Sequence, residues 1–99
     1  AGGDIIRVQE KLKAGSRKLT VTWKKAKGTF TGYEISYSTG KKFAAKKTKA
    51  VKVSAKKTSK TIKKLTKKKT YYVRIRTYLK KDGKVIRSSW SKVKKIKIK

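Results

Sequence analysis

The most constraining feature of the sequence is an alternation of side chains at the end of the stretch L-T-K-K-K-T-Y-Y-V-R-I-R-T-Y, residues 65–78. Aromatic and β-branched residues occupy every second position, namely Tyr71, Val73, Ile75 and Thr77. A period of two places alternate side chains on opposite faces of a β-strand. Because this composition suits the centre of a sheet, we predict a central strand here, around which the rest of the chain is arranged.

Tyr71 stands at the beginning of this strand, six residues after Leu65 and behind a lysine-rich connection. In β-sandwich domains a tyrosine at such a place bonds its hydroxyl group to backbone upstream, an arrangement called the tyrosine corner. The sequence therefore predicts a bond between the Tyr71 hydroxyl and the backbone of residues 65–69.

Other segments show strand patterns between turn signals, and they cover residues 4–13, 17–25, 32–38, 49–54, 57–65 and 87–99. Asp82-Gly83 predicts a tight hairpin after the Tyr71 strand, and residues 43–45 predict a turn or one turn of helix. In the last segment Val93 breaks a parity that Trp90, Ile96 and Ile98 share. We therefore expect a β-bulge between Val93 and Ile96.

About seven strands, with a turn roughly every 8 to 12 residues, predict an all-β fold: a seven-stranded antiparallel β-sandwich. The residues expected to pack between its sheets are Trp23, Tyr33, Ile35, Tyr71, Val73 and Ile75. A chain of 99 residues is enough for one such core. We interpret residues 1–4 as a linker or cloning remnant and residues 5–99 as the domain.

The residue inventory argues against catalysis. The chain contains no Cys and no His, and its carboxylates are Asp4, Glu10, Glu34 and Asp82. Thiol chemistry, thiolate metal sites and the usual general base are thereby excluded. We expect no catalytic residue, no metal site and no cofactor. No apolar run approaches the roughly 18 residues that a membrane-spanning helix needs.

The formal charge of +29 comes mainly from lysine, which supplies 28 of the 33 basic residues. Arginine suits bidentate recognition of phosphates and bases, whereas lysine is a hydrated point charge. Lysine pairs and triplets occur in most of the predicted strands and turns. They favour either a solubilising coat or loose attraction to a polyanion, and both interpretations stay open here.

One face of the Tyr71 strand forms a candidate ligand surface, because four side chains share its outward parity: Tyr72, Arg74, Arg76 and Tyr78. Aromatic rings mixed with guanidinium groups can stack sugars or bases and hold anionic groups. The alternative is that the same residues cover a sheet face through cross-strand pairs.

Several motifs resemble the fibronectin type III family. L-T-V-T-W at residues 19–23 and G-Y-E-I-S-Y-S at residues 32–38 are similar to its second and third strands. Leu65 followed by Y-Y-V-R-I-R is similar to its tyrosine corner and sixth strand, and Trp90-Ser91 falls where its last strand begins. The resemblance spans residues 6–98 and implies an immunoglobulin-like sandwich.

Two departures from the family pattern limit what the resemblance implies. The chain contains no proline, and the hairpin after the Tyr71 strand reads K-K-D-G-K rather than Arg-Gly-Asp, so integrin-type adhesion is not implied. The lysine-rich segments K-K-K-T-Y-Y and W-S-K-V-K are most similar to modules of secreted or wall-attached proteins of Gram-positive bacteria.

This resemblance implies a non-catalytic accessory, spacer or adhesion-type module of a bacterial extracellular multidomain protein. Its partners would be neighbouring domains, and the isolated domain would be a monomer at the cell surface or outside the cell. The alternative is a binding module for anionic polymers, with teichoic acid, glycosaminoglycan or nucleic acid as candidate partners.

Overall fold

The computed structural model describes residues 10–99, which form two antiparallel β-sheets. The smaller sheet has the order β1-β2-β5, with β1 at Glu10–Gly15, β2 at Lys18–Trp23 and β5 at Ser59–Ile62. The larger sheet contains β3 (Gly32–Ser38), β4 (Thr48–Ser54), β6 (Thr70–Lys81), β7 (Lys84–Arg87) and β8 (Lys94–Lys97). Its order is β4-β3-β6, and both β7 and β8 pair with the other edge of β6. β8 pairs with the beginning of β6 and β7 with its end. The predicted all-β antiparallel sandwich is confirmed.

The first strand is described only in part. A strand is predicted at residues 4–13, and residues 4–9 lie outside the described part of the chain. Within that part, β1 begins at Glu10 and pairs with β2 from Glu10 opposite Trp23 to Gly15 opposite Lys18. The turn between β1 and β2 therefore falls at residues 16–17.

The core lies between the two sheets, as the alternation predicts. Its buried members are Leu19, Val21, Trp23, Tyr33, Ile35, Ile62, Leu65, Tyr71, Val73, Ile75 and Ile98. All six residues predicted to pack there are among them. Trp23 is 4% exposed whereas its neighbour Lys24 is exposed, which is the contrast that the predicted register of β2 requires.

Tyrosine hydroxyl groups tie two loops to this core. The Tyr71 hydroxyl accepts a hydrogen bond of 2.9 Å from the backbone N–H of Thr66, which confirms the predicted corner. At the other end of the sandwich the Tyr33 hydroxyl accepts a bond of 2.8 Å from the N–H of Ala26. No sequence pattern predicts a role for that second hydroxyl, which anchors the connection between β2 and β3.

The hairpin between β6 and β7 is the predicted two-residue turn. Lys81 and Lys84 are the last paired residues, and Asp82 and Gly83 have φ of 52° and 75°. Positive φ at both central positions defines a type I′ turn, which matches the right-handed twist of the flanking strands. Asp-Gly is a preferred sequence for that turn because both residues tolerate left-handed backbone.

The last strand is interrupted earlier than predicted. The chain leaves the regular ladder at residues 88–93 instead of bulging between Val93 and Ile96. The backbone N–H groups of Thr77 and Ile75 there donate to the side-chain oxygens of Ser88 and Ser91, each at 2.9 Å. Serine hydroxyls thus accept the hydrogen bonds that backbone carbonyls accept in a regular sheet. The alternation of side chains between the two faces is therefore broken in this segment.

Two local features differ from what their residue types suggest. Gly32 has no positive φ. A Cβ at this position would instead clash with the carbonyl oxygen of Val53, so the close approach of β4 requires glycine. The expected helical turn at residues 43–45 lies slightly later, as a 3₁₀ turn at Ala45–Lys47.

Candidate functional site

The four predicted ligand residues lie on the outer face of the larger sheet. Each of them is paired with a residue of the neighbouring strand β3. The register pairs Tyr72 with Ser38, Arg74 with Ser36, Arg76 with Glu34 and Tyr78 with Gly32. Each long side chain of β6 therefore stands beside a serine, a glycine or an acid. The β3 side chains on this face are covered, since Glu34, Ser36 and Ser38 are all buried.

Arg76 is held by an ion pair with its cross-strand neighbour. Its Nε donates to Glu34 Oε1 at 2.8 Å, and its Nη2 lies 2.5 Å from the same oxygen. Hydrogen bonds between two charged groups are shorter and stronger than neutral ones. Arg76 already has an internal anionic partner, which reduces its capacity to hold an external one.

Two aromatic rings pack against the arginines of this face. The Cζ atom of Arg74 lies 4.1 Å from the ring centroid of Phe43 and 4.3 Å from that of Trp90. The Cζ atom of Arg76 lies 3.9 Å from the same Trp90 ring. We call these residues, with Glu34, the arginine–aromatic cluster. Cation–π contacts of this kind stabilise a guanidinium group that has lost part of its hydration.

Arg74 is the least satisfied member of the cluster. Its Nε is buried and has no hydrogen-bond partner among residues 10–99. Burial, and then the neighbouring charge of Arg76, lower the pKa of Arg74. Because arginine is protonated far above neutral pH, the group stays cationic between its rings.

The two tyrosines lie at opposite ends of the cluster rather than within it. Tyr78 is 9% exposed, and its ring lies directly over Gly32, with the Lys52 Nζ 5.0 Å from the ring centroid. Tyr72 is half-buried between Ser38 and Lys95 in the register. The four candidates therefore form a continuous packed face, as the cross-strand alternative describes. A ligand role for this face stays a prediction.

The positions of both aromatic members of the cluster, Phe43 and Trp90, were not predicted from the sequence. Trp90 was grouped by parity with Ile96 and Ile98, yet it packs on the outer face, whereas Ile98 is buried in the core. The serine-bridged interruption at residues 88–93 explains this reversal. Phe43 has a φ of 55° in a loop, and no periodicity in the sequence could have placed it over Arg74.

A buried polar bridge connects the two sheets near the same interruption. Glu10 of β1 is 1% exposed, and its Oε2 accepts a hydrogen bond from the hydroxyl of Ser91. Lys94 donates from Nζ to the Glu10 carbonyl oxygen. Burial raises the pKa of Glu10, against the opposing effects of the Ser91 bond and the Lys94 charge. The carboxyl group is closed to solvent, and its Oε1 has no hydrogen-bond partner among residues 10–99.

The described part of the chain contains no group of three or more Asp, Glu, His or Cys residues that could hold a metal ion. Its carboxylate side chains are Glu10, which is buried, Glu34, which pairs with Arg76, and Asp82, which lies in the β6–β7 turn. Within residues 10–99 no helix is long and apolar enough to cross a membrane.

The sequence profile of the fibronectin type III domain matches residues 7–94. The chain therefore belongs to the fibronectin type III family, whose members are typically non-catalytic modules of multidomain proteins. No curated protein sequence gives a significant match.

Solved structures with this fold agree with the assignment. The FN1–FN3 domains of chicken CNTN1 superpose with a TM-score of 0.79 at 16% identity, over 96% of this chain and 31% of that one. The fn3 domain of human contactin 1 gives 0.73 at 14% identity, over 92% and 74% of the two chains. A computationally redesigned β-sandwich protein gives 0.70 at 16% identity, over 96% of both. The chain thus spans about a third of the chicken chain.

Proposed function

We propose that the chain is a non-catalytic accessory, spacer or adhesion-type module of a longer bacterial extracellular protein. The observation that supports this most is the internal use of its reactive groups. Glu34 pairs with Arg76, the Tyr71 hydroxyl accepts from Thr66, and Glu10 is buried against Ser91. Groups that are paired or buried inside the fold hold it together and are not available to a substrate.

The extracellular bacterial setting is supported by sequence resemblance. The segments K-K-K-T-Y-Y and W-S-K-V-K are similar to lysine-rich modules of secreted or wall-attached Gram-positive proteins. An antibody raised against the folded domain tests this setting in the source cells. It should label intact cells or the culture medium, and labelling that appears only after lysis would overturn the proposal.

A second candidate function is binding of anionic polymers, and the surface charge favours it. The formal charge is +29, and two of the three described acidic side chains are buried within the fold. Such a surface attracts polyanions and steers their encounter at low salt. Teichoic acid, glycosaminoglycan and nucleic acid share this chemistry of repeated phosphate, sulfate or carboxylate groups.

Mapping of one polymer separates a dedicated site from a diffuse field. Amide chemical shifts of the ¹⁵N-labelled domain would be followed while a heparin oligosaccharide is added at physiological salt. The spacer proposal predicts small shifts spread over the lysine-bearing strands and turns. Large shifts confined to one patch, such as the arginine–aromatic cluster, would favour the polymer-binding function instead.

A further inference from the structure

One long side of the sandwich is open between two edge strands. Within residues 10–99, β4 pairs only with β3 and β5 pairs only with β2. A groove with a volume of about 690 Å³ lies between β4 and β5. We call it the edge groove. Its floor includes Tyr37, Val51, Val53 and Ile62, and its rim includes Lys57, Lys60 and Lys63.

The floor of the edge groove is apolar although it is open to solvent. Val51 and Val53 are half-buried and pack against the core, and Ile62 is a core member. Burial, and then the neighbouring Tyr71, raise the pKa of Tyr37, as expected for a hydroxyl in apolar surroundings. An occupant with apolar side chains would complete the closure of the core here.

The rim of the edge groove is cationic and contains no acid. None of the lining residues is Asp or Glu, and the described acids lie elsewhere, in the core, on the outer face and in the β6–β7 turn. The rim lysines therefore have no carboxylate within the groove. An occupant that fits this charge must carry acidic groups as well as apolar ones.

The backbone of β4 offers a third element of recognition. In an antiparallel strand, alternate residues direct their N–H and C=O groups to each side, so one set in β4 faces away from β3. Lysine on an edge strand normally prevents pairing with another chain. For a second copy of this protein, with its charge of +29, repulsion strengthens that protection. For an acidic strand the same lysines become attractive.

We propose that the edge groove binds an extended acidic segment of a partner protein, which adds as a strand to the free edge of β4. Its alternate apolar side chains enter the groove beside Val51 and Val53, while its acidic side chains lie on the outer face of the larger sheet with Lys52. The rim lysines attract the negative charge of the segment as a whole. Backbone hydrogen bonds supply affinity in such strand addition, and the alternating pockets supply selectivity. This inference goes beyond the spacer and polymer functions, because it requires a strand rather than charge alone.

Two methylated peptides with the same charge distinguish strand addition from diffuse attraction. The probe is a peptide of alternating valine and glutamate, tested at physiological salt. One variant carries N-methyl groups on all valines and the other on all glutamates. With valine directed into the groove, only one of these sets turns its N–H groups towards β4. That variant should bind about tenfold more weakly or worse, while the other binds as the parent peptide does. Equal binding of both variants would overturn the proposal.

Charge reversal on the protein gives an independent test. Lys57→Glu places an acid at the rim of the edge groove, whereas Lys84→Glu places one at the far β6–β7 hairpin. Both residues are exposed, and both changes alter net charge equally. The Lys57 variant should lose most of its affinity for the parent peptide, with little loss in the Lys84 variant. The parent peptide should also slow hydrogen exchange of β4 amides. Equal loss in both variants, or unchanged exchange in β4, would contradict strand addition.

Discussion

Tyr71 and Thr66 are joined by a hydrogen bond of 2.9 Å, in which the phenol oxygen accepts from the backbone N–H. The bond fixes the connection that leads from Leu65 into β6. The same connection is tied to the end of the chain, since Ile98 donates its backbone N–H to the Lys69 carbonyl at 2.9 Å. The corner therefore links the central strand to the last core residue.

Replacing Tyr71 with phenylalanine should lower the free energy of unfolding by about 0.5–1.5 kcal/mol, the usual net contribution of one such hydrogen bond. The ring and its packing are retained, so the fold should persist. Urea denaturation of the two proteins measures the difference, with Tyr72→Phe as the matched control on the outer face. Unchanged stability in the Tyr71 variant would show that the corner bond contributes nothing.

Glu10 should make stability depend on pH in a defined direction. Because burial raises the pKa of Glu10 in the folded state, the folded protein binds this proton more tightly than the unfolded chain does. The ionised carboxylate therefore costs stability at neutral pH, and the cost disappears as pH falls through the folded-state pKa towards the unfolded value.

Glu10→Gln removes this titration and keeps an oxygen that can accept from Ser91. The stability of the natural protein relative to this variant should increase as the pH is lowered from neutral to about 4, near the unfolded pKa of a glutamate. Denaturation curves of both proteins at several pH values give that difference. A difference that stays constant, or falls with decreasing pH, would contradict the raised pKa.

Trp90 and Arg76 should be energetically coupled through the 3.9 Å contact between the guanidinium group and the indole ring. A double-mutant cycle with Trp90→Leu and Arg76→Gln should give a coupling of about 0.5–2 kcal/mol, because cation–π contacts strengthen when the cation is partly desolvated. Denaturant unfolding of the four proteins measures it. If the two substitutions change the free energy of unfolding additively, Trp90 covers the sheet without a specific interaction with the Arg76 guanidinium group.

The inward faces of β2, β3 and β6 were predictable because apolar and polar residues alternate there without interruption. Trp23, Tyr33 and Ile75 all lie where this period places them. The tyrosine corner was predictable for a related reason, since one residue at a strand start bonds backbone only five residues away.

The burial of Glu10 and the outward position of Trp90 were not predictable, because their surroundings come from distant parts of the chain. Glu10 was counted only among the carboxylates, yet it is buried and accepts a hydrogen bond from Ser91, which is 81 residues away. Trp90 lies in the segment where serine hydroxyls replace ladder carbonyls, so strand parity no longer indicates its face. The alternation of apolar and polar side chains indicates which face of a single strand is buried. It contains no information about partners that lie far away in the sequence.

The sequence predicts which residues of the candidate ligand surface are neighbours, but not which other side chains contact them. Alternation placed Arg74 and Arg76 on one face, and the register confirms that arrangement. Whether those groups were free depended on Glu34, Phe43 and Trp90, which come from three other segments of the chain.

The affinity of the domain for duplex DNA, heparin and wall teichoic acid at two salt concentrations tests most directly whether this is a spacer or a polymer-binding module. If the attraction is diffuse and engages about five charges on DNA, the affinity for DNA should fall roughly several hundred-fold between about 50 and about 200 mM salt. All three affinities should collapse together, and Arg74→Gln should reduce them no more than Lys84→Gln does. A single polymer that stays bound at the higher salt, and is lost in one of these variants only, would contradict the spacer function and establish a specific anionic partner.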